Sequence, residues 1–302
     1  MIRSSNPTKQ DVQKFWGGVY DVAYSDMDAD LSVETLLELL AELEDMFRLR
    51  EQLPVVEISL NELAGKRVLE IGPGAGSHSA LFATYGAVMT SLDISAERAR
   101  STQAKFDLLG ARDCRALQGD AENLPFDDDM FDIVYSNGVL HHSPDTDRAI
   151  AEAYRVLKPG GQAAIMLYCK SSWDYWFNLF FCVGILKAKI FTSPHWLGHA
   201  TEWIGHSKQT VTNPVTRCYT GRALKKMFSS FDRLTLRKTE FYFYLIPFFG
   251  RYYRRFQIKR YGVHRGGILA YGEPWPRRSV LEDRLGRIMG WAWNINAYKP
   301  KR

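Results

Sequence analysis

The stretch Val68-Leu69-Glu70-Ile71-Gly72-Pro73-Gly74-Ala75-Gly76 limits what this chain can fold into more than any other. A short apolar run ending in three closely spaced glycines is a buried strand opening into a tight turn. Glycines leave no side chain in the way, so the backbone N–H groups and the positive end of the following helix come close to a ligand. The spacing is GxGxG, whereas the dinucleotide fingerprint GxGxxG needs a third glycine where Ser77 stands. That argues against a nicotinamide dinucleotide. Taken alone, the loop leaves open such a dinucleotide, another adenosine-bearing cofactor, or a turn that holds nothing.

Around the loop the chain alternates β-rich and amphipathic runs from Lys66 to Tyr168, the pattern of a parallel sheet with crossover helices. Strands are expected at 67–71, 88–94, 114–119, 131–136 and 162–168. Helices are expected at 77–85, at 95–109 with Ser95 as N-cap and Glu97 in the first turn, and at 146–157. In the last of these Ala149, Ile150, Ala153, Tyr154 and Leu157 form one stripe, and Lys158-Pro159-Gly160-Gly161 stops the helix. The rhythm breaks over 169–219, then resumes with a helix at 221–228, a long strand at 232–244 and a terminal strand at 290–298, the two late strands closing the sheet as an antiparallel pair. Before the core, Leu36, Leu39, Leu40, Leu43 and Phe47 recur at helical spacing. At 302 residues, with no compositional break, the chain reads as one domain. Within it lie a helical cap (1–60), a cofactor-binding core (61–168), two cap insertions (169–219 and 241–289), and a C-terminal helix with closing strands (220–240 and 290–302).

Three further segments select among ligands. Asp93 ends the second strand, with Ile94 beside it, where a carboxylate can accept hydrogen bonds from both ribose hydroxyls of an adenosine. Gly119-Asp120-Ala121-Glu122-Asn123-Leu124-Pro125-Phe126 follows the third strand; Asp120 is suited to accept from an adenine amino group and the Ala121 backbone to meet a ring nitrogen. Phe131-Asp132-Ile133-Val134-Tyr135-Ser136-Asn137-Gly138-Val139-Leu140-His141-His142 is a strand whose polar end, including Asn137, lies at the ligand edge of the sheet. Together with Arg155-Val156-Leu157-Lys158-Pro159-Gly160-Gly161, these resemble the consecutive motifs of class I S-adenosylmethionine-dependent methyltransferases, especially the small-molecule and lipid-quinone enzymes. The resemblance covers residues 66–168 closely and the last strand pair more loosely. It implies a Rossmann-like seven-stranded α/β sheet, parallel with a C-terminal antiparallel strand pair. It also implies that Glu70 lies near the amino-acid part of S-adenosylmethionine and that Gly72, Gly74 and Gly76 approach its amino and carboxylate groups. Asp93 and Asp120 would then hold ribose and adenine. Phe15, Trp16 and Tyr20 stand where related enzymes often place a lid; an aromatic cluster joining cap to core is the competing reading.

A sulfonium methyl is already electrophilic, so such an enzyme mainly aligns the acceptor with it and excludes water. A hydroxyl or phenol acceptor also benefits from a general base, for which His141 and His142 are the candidates. Paired histidines occur in the resembled family whatever the acceptor, so a loop-fixing role competes. No metal is expected, since adjacent histidines point apart. Cys114, Cys169, Cys182 and Cys218 show no paired spacing and read as reduced thiols, and no signal-peptide pattern opens the chain, so a cytoplasmic protein is expected.

The net charge of +5 hides an asymmetry. Residues 170–302 hold 24 Lys and Arg against 7 Asp and Glu, while residues 1–169 hold 15 against 27. A basic half points to an anionic partner. Its aromatic runs, 173–186 and 241–250, are bordered by Lys187 and Lys189 and by Arg251, Arg254, Arg255, Lys259, Arg260 and Arg265. They are too short to span a bilayer. They suit either a greasy lid over a lipid-like acceptor, methylated at O, N or C, or a rim resting on an anionic membrane as a peripheral protein. Nucleic acid is the disfavoured partner, because Ser136-Asn137-Gly138-Val139 replaces the Asn/Asp-Pro-Pro-aromatic segment that holds a flipped base in many such enzymes. The alternatives are an RNA methyltransferase, a non-catalytic protein retaining the fold, or a nucleotide-dependent oxidoreductase.

Overall fold

A computed structural model of the chain describes residues 7–23, 25–206, 209–264, 275–276 and 278–301. Its centre is a seven-stranded sheet of β1 (Arg67–Ile71), β2 (Val88–Asp93), β3 (Arg115–Gln118), β4 (Phe131–Asn137), β5 (Leu157–Tyr168), β6 (Asp232–Thr239) and β7 (Ala292–Tyr298). The order across the sheet is β3-β2-β1-β4-β5-β7-β6. The first five strands pair in parallel, and β7 runs antiparallel to both β5 and β6. The expected late antiparallel pair is therefore β6 with β7, and β6 itself points the same way as the core strands.

Helices cover both faces, which is why β1 is buried continuously from Val68 to Ile71 rather than on alternate residues. On one face Leu69, Ile71, Val134, Ile165 and Ile295 meet Ala149, Ile150 and Ala153 of one helix and Leu224 of another. On the other, Val68, Met89, Tyr135 and Met166 meet Phe82 and Phe106. Each such fully buried side chain stabilises by about 2 kcal/mol before entropy is counted. In chain order the longer helices are α1 (Lys9–Ala23), α2 (Val33–Leu49), α3 (Ser77–Thr84), α4 (Ala96–Leu108), α5 (Thr146–Val156), the π-wound α6 (Asp174–Leu186), α7 (Gly221–Met227), α8 (Gly250–Tyr261) and α9 (Val280–Met289). α1 begins on a reciprocal cap, Thr8 N–H donating to Asp11 at 2.8 Å and Asp11 N–H to the Thr8 hydroxyl at 3.2 Å. α2 lays Leu36, Leu40, Leu43 and Phe47 over Ala80 and Leu81 of α3; Leu39 lies at the margin.

Three expected boundaries move. β6 stops at Thr239 instead of 244, because Glu240 adopts a left-handed φ of 68° and the chain turns away. β5 starts at Leu157, taking Pro159 and Gly160 into a bulge opposite Phe131 and Ile133. The supposedly irregular 169–219 contains α6, short helices Lys189–Thr192 and Trp196–Thr201, and a ribbon of Trp203–His206 with Gln209–Thr212. No helix among the described residues is long and apolar enough to cross a membrane.

The strand order reverses between β1 and β4, and at such a switch point the two flanking loops part and leave a crevice beyond the strand ends. The glycine loop and the Asn137-Gly138-Val139 turn occupy that place.

Candidate functional site

A cavity of about 640 Å³ opens over those strand ends, within the range of ~300–1,000 Å³ that buries a small ligand. Glu70, Gly72, Gly74, Asp93, Ile94, Asp120, Ala121, Asn137 and His142, all expected at a site, line it. Gly76, His141 and Tyr20, also expected, do not.

The glycines divide their work. Gly72 has φ 75°, and a Cβ there would sit 2.4 Å from the Val139 methyls. Gly74 (φ 59°) and Gly138 (φ 78°) are left-handed too, yet a Cβ would meet only Arg98 at 3.5 Å in the first and nothing within 4 Å in the second, so both face open space in the cavity. Gly76 serves packing: a Cβ would fall 2.7 Å from Thr102 Cα, closing off the approach of α4 to the loop.

Two buried carboxylates face the cavity. Burial pushes the Glu70 carboxyl up to about 8, against the opposing effect of the Ser79 hydroxyl that donates to it. His78 lies 3.9 Å from Glu70, but burial holds its imidazole down to about 4, so this is no ion pair at neutral pH. Asp93 accepts from Ser95 N–H at 2.9 Å and Gly74 N–H at 3.3 Å. Burial nevertheless raises its pKa, with the nearby Arg98 charge acting in the other direction. Asp120 sits in an ion pair with Lys9, which also reaches Glu122 at 2.9 Å. Lys9 has no motif to announce it; only the Thr8-Asp11 cap signals the helix that carries it.

α1 roofs this end. Phe15 and Trp16 line the cavity. Trp16 is held by Arg98, whose guanidinium lies 5.0 Å from the indole centroid and whose Nε donates to the Trp16 carbonyl at 3.1 Å. Tyr20 is turned away from the cavity: its hydroxyl donates to Asp28 at 2.8 Å, and burial, followed by that bond, pushes it up to about 12.

The two histidines have different surroundings. His141 is fully buried, its ring 3.7 Å from that of Tyr168, and neither ring nitrogen has a hydrogen-bond partner among the described residues. Burial, then the neighbouring His142, keeps its pKa well below the usual imidazole range. His142 lines the cavity with its ring 5.2 Å from Trp16. Its Nδ1 lies 2.9 Å from both the Val215 carbonyl, which accepts, and the Asn213 side-chain amide, which donates, so either tautomer finds a partner there. Its Nε2 has no hydrogen-bond partner among the described residues and lies 3.7 Å from Glu202. Glu202 accepts from the Tyr168 hydroxyl at 2.7 Å, and both line the cavity. Sequence reasoning passed over Glu202, although it is the lone carboxylate between Asp174 and Asp232.

Beyond this cluster the wall is supplied by the insertions. Leu179 of α6, and Glu240, Tyr242, Tyr244 and Leu245 after β6, line it, with Trp291 before β7. The insertions also present exposed rings, among them Trp176, Phe181, Phe248 and Phe256. The two readings of these aromatic runs, cavity wall and outer rim, thus fall on different residues of the same segments. Arg265, counted with the basic run, lies outside the described residues.

Comparison with known proteins agrees with this geometry. Residues 69–165 match the family described as "Methyltransferase domain". The chain is 40% identical over 104 residues to a phthiotriol/phenolphthiotriol dimycocerosates methyltransferase of Mycobacterium leprae, covering 34% of this chain and 37% of that one. It is 34% identical over 108 residues to the sterol 4-C-methyltransferase strm-1 of Caenorhabditis elegans (35% and 32%). With a 2-methyl-6-phytyl-1,4-hydroquinone methyltransferase of Spinacia oleracea it shares 39% over 106 residues (33% and 28%). The matches thus span about a third of the length of these relatives. Among solved structures, YcgJ of Bacillus subtilis superposes with a TM-score of 0.50 at 20% identity, covering 83% of this chain and 99% of that one. The cyclase SpnF gives 0.51 at 19% identity, covering 82% and 81%. These low identities establish the fold alone; the motif-bearing segment carries the match to the methyltransferase domain. That segment, residues 69–165, is a methyltransferase domain of the S-adenosylmethionine-dependent kind, and the sheet built around it has the fold of the solved relatives.

Proposed function

We propose that the protein methylates a lipophilic acceptor at a hydroxyl or phenol oxygen, with S-adenosylmethionine as methyl donor. One observation carries the reading: a single cavity runs from the glycine loop and Asp93 to an aromatic wall, with His142, Tyr168 and Glu202 between them. The cofactor end suits the donor because Gly74 and Gly138 leave backbone open to the cavity. It also supplies two buried carboxylates to a cationic, ribose-bearing ligand.

When bound, S-adenosylmethionine supplies the electrophilic methyl group. Asp93 would accept from the ribose hydroxyls, Asp120 and the Ala121 backbone would face the adenine with Ile94 beside it, and Asn137 and Glu70 would face the amino-acid portion. Phe15 and Trp16 exclude water. In the tautomer whose Nδ1–H donates to the Val215 carbonyl, His142 Nε2 removes the acceptor's proton, and Glu202 stabilises the imidazolium that forms. His141, enclosed against Tyr168, has no place in that step. The lipid and quinone-type compounds in the names of the relatives support a greasy acceptor, as does the aromatic wall.

The reading is tested by incubating the purified protein with methyl-labelled S-adenosylmethionine and a total lipid extract of the cells that make it. Label is expected in the solvent-extractable fraction and in a product whose ether resists mild base. Cofactor binding with label recovered solely in RNA, or in no fraction, would overturn it in favour of a nucleic-acid enzyme or a non-catalytic protein.

A further inference from the structure

The aromatic wall of the cavity continues onto the outside of the molecule. α6 buries Tyr175 and Leu179 and turns Phe177, Phe181 and Leu186 to solvent, Leu186 with 66% of its surface exposed. α8 buries Gly250 and Gln257 and presents Tyr252, Arg255, Phe256 and Lys259 on its opposite side. Just before it, Phe248 is 98% exposed. A ladder of rings joins the two helices, from Phe181 through Phe177, Trp173, Phe241 and Phe243 to Tyr253, with successive centroids 4.9 to 6.1 Å apart. The exposed rings of the two helices are thus linked by aromatic packing that runs beneath the surface at Phe241, on segments that also supply the cavity-lining Leu179, Tyr242 and Tyr244.

A monomer rarely leaves clusters such as Trp176, Phe177, Phe181 and Leu186 on α6, and Phe248, Phe249, Tyr252 and Phe256 at α8, in water unless something covers them. The charges say what. α8 holds five cations, Arg251, Arg254, Arg255, Lys259 and Arg260, and no acid, and Lys187 closes α6. Apolar side chains interleaved with cations form the pattern that sinks into a headgroup layer while meeting its phosphates. Single-stranded nucleic acid also pairs cations with rings. However, the exposed side chains of the same segments include the aliphatic Ile185, Leu186 and Ile258, which offer a base nothing to stack on.

We propose that α6, the 241–249 segment and α8 form one docking face for an anionic membrane surface, and that the lipophilic acceptor enters the cavity from that membrane through the wall they share. The second part rests on the methyl-transfer reading; the first does not. The test is flotation of the full chain with vesicles of equal parts phosphatidylcholine and phosphatidylglycerol, against phosphatidylcholine alone and against retention on poly(U). S-adenosylmethionine binding is followed by calorimetry in parallel.

The protein is expected to float with the anionic vesicles, less so as salt is added. The pairs Phe181→Ser with Phe256→Ser, and Arg255→Glu with Lys259→Glu, are each expected to lower the bound fraction about tenfold or more with cofactor binding unchanged. None of these four side chains lines the cavity. Failure of the wild-type protein to float while it binds cofactor, flotation of both variants at the wild-type level, or retention on poly(U) without flotation would each overturn the docking face. Flotation without cofactor binding would instead uphold the face and remove the methyl-transfer reading.

Discussion

At the glycine-loop end of the cavity, functional groups sit on strand ends and the turns that leave them: Glu70 on β1, Asp93 on β2, Asn137 on β4. At the far end the wall comes from segments that follow β5 and β6 and return over the sheet, bringing Leu179, Glu202, Tyr242 and Tyr244 together from three separate places in the chain. The first end is determined by sheet register, where a residue's place follows from its position in a strand. The second is determined by packing of side chains on one another, which tolerates exchange of one apolar residue for another. A cofactor common to a family suits the first construction, and an acceptor that differs between members suits the second.

If the ends are separable in this way, variants should divide cleanly. The largest effect is expected from His142→Ala: a loss of methyl transfer of about 10²- to 10⁴-fold, as for removal of a general base. S-adenosylmethionine affinity should stay within about twofold, measured by calorimetry, since no cofactor group is placed on His142. A parallel fall in both would show that the ends are one unit, and an unchanged rate would point to an acceptor atom that needs no base. Gly72→Val, which forces a side chain into Val139 at a left-handed φ, should lower cofactor affinity by about 100-fold or more. Thermal melting distinguishes loss of the site from loss of the fold.

Asp93→Ala removes a charged hydrogen-bond acceptor and should weaken cofactor binding by about 10- to 100-fold. Leu245→Ala, at the other end, should leave that binding untouched and act on acceptor affinity instead. A smaller effect tests the electrostatics of Glu70. Its carboxyl is raised from 4.5 to about 8 by burial, so the folded cofactor-free protein holds a proton that the unfolded chain releases between those values. Its contribution to stability is therefore most favourable below pH 4.5, declines as pH rises through that window, and is constant above about 8. Melting temperature across this range should show a decline that Glu70→Gln reduces. Phe248→Ser, at the exposed rim, should change stability by no more than about 0.5 kcal/mol in urea unfolding.

Much of the fold was legible because parallel strands and crossover helices write themselves in local periods: β1, β2, β4 and α5 lie within a residue or two of their expected bounds. The misjudged end of β6 depends on a left-handed Glu240, which no propensity favours, held by the close approach of Gly290 to the Thr239 carbonyl. α6 was missed because its π-winding carries no 3.6-residue period. Within the site, the loop glycines looked equivalent in sequence, yet only the approach of α4 gives Gly76 to packing. Likewise His141 and His142 are adjacent and chemically identical, and only the neighbouring Tyr168, Val215 and Glu202 separate an enclosed ring from one that meets the cavity.

What sequence by itself determined was the sheet, its glycine loop and the methyltransferase motifs of residues 69–165, because each rests on residues close together in the chain whose spacing dictates their geometry. Tertiary structure alone decided which histidine faces the cavity and that Lys9 meets Asp120. It also decided which rings of the insertions wall the cavity and which face outward. These depend on contacts between segments tens to hundreds of residues apart, and packing of that kind is set by shape and burial after the chain has folded, with no local period to record it in advance.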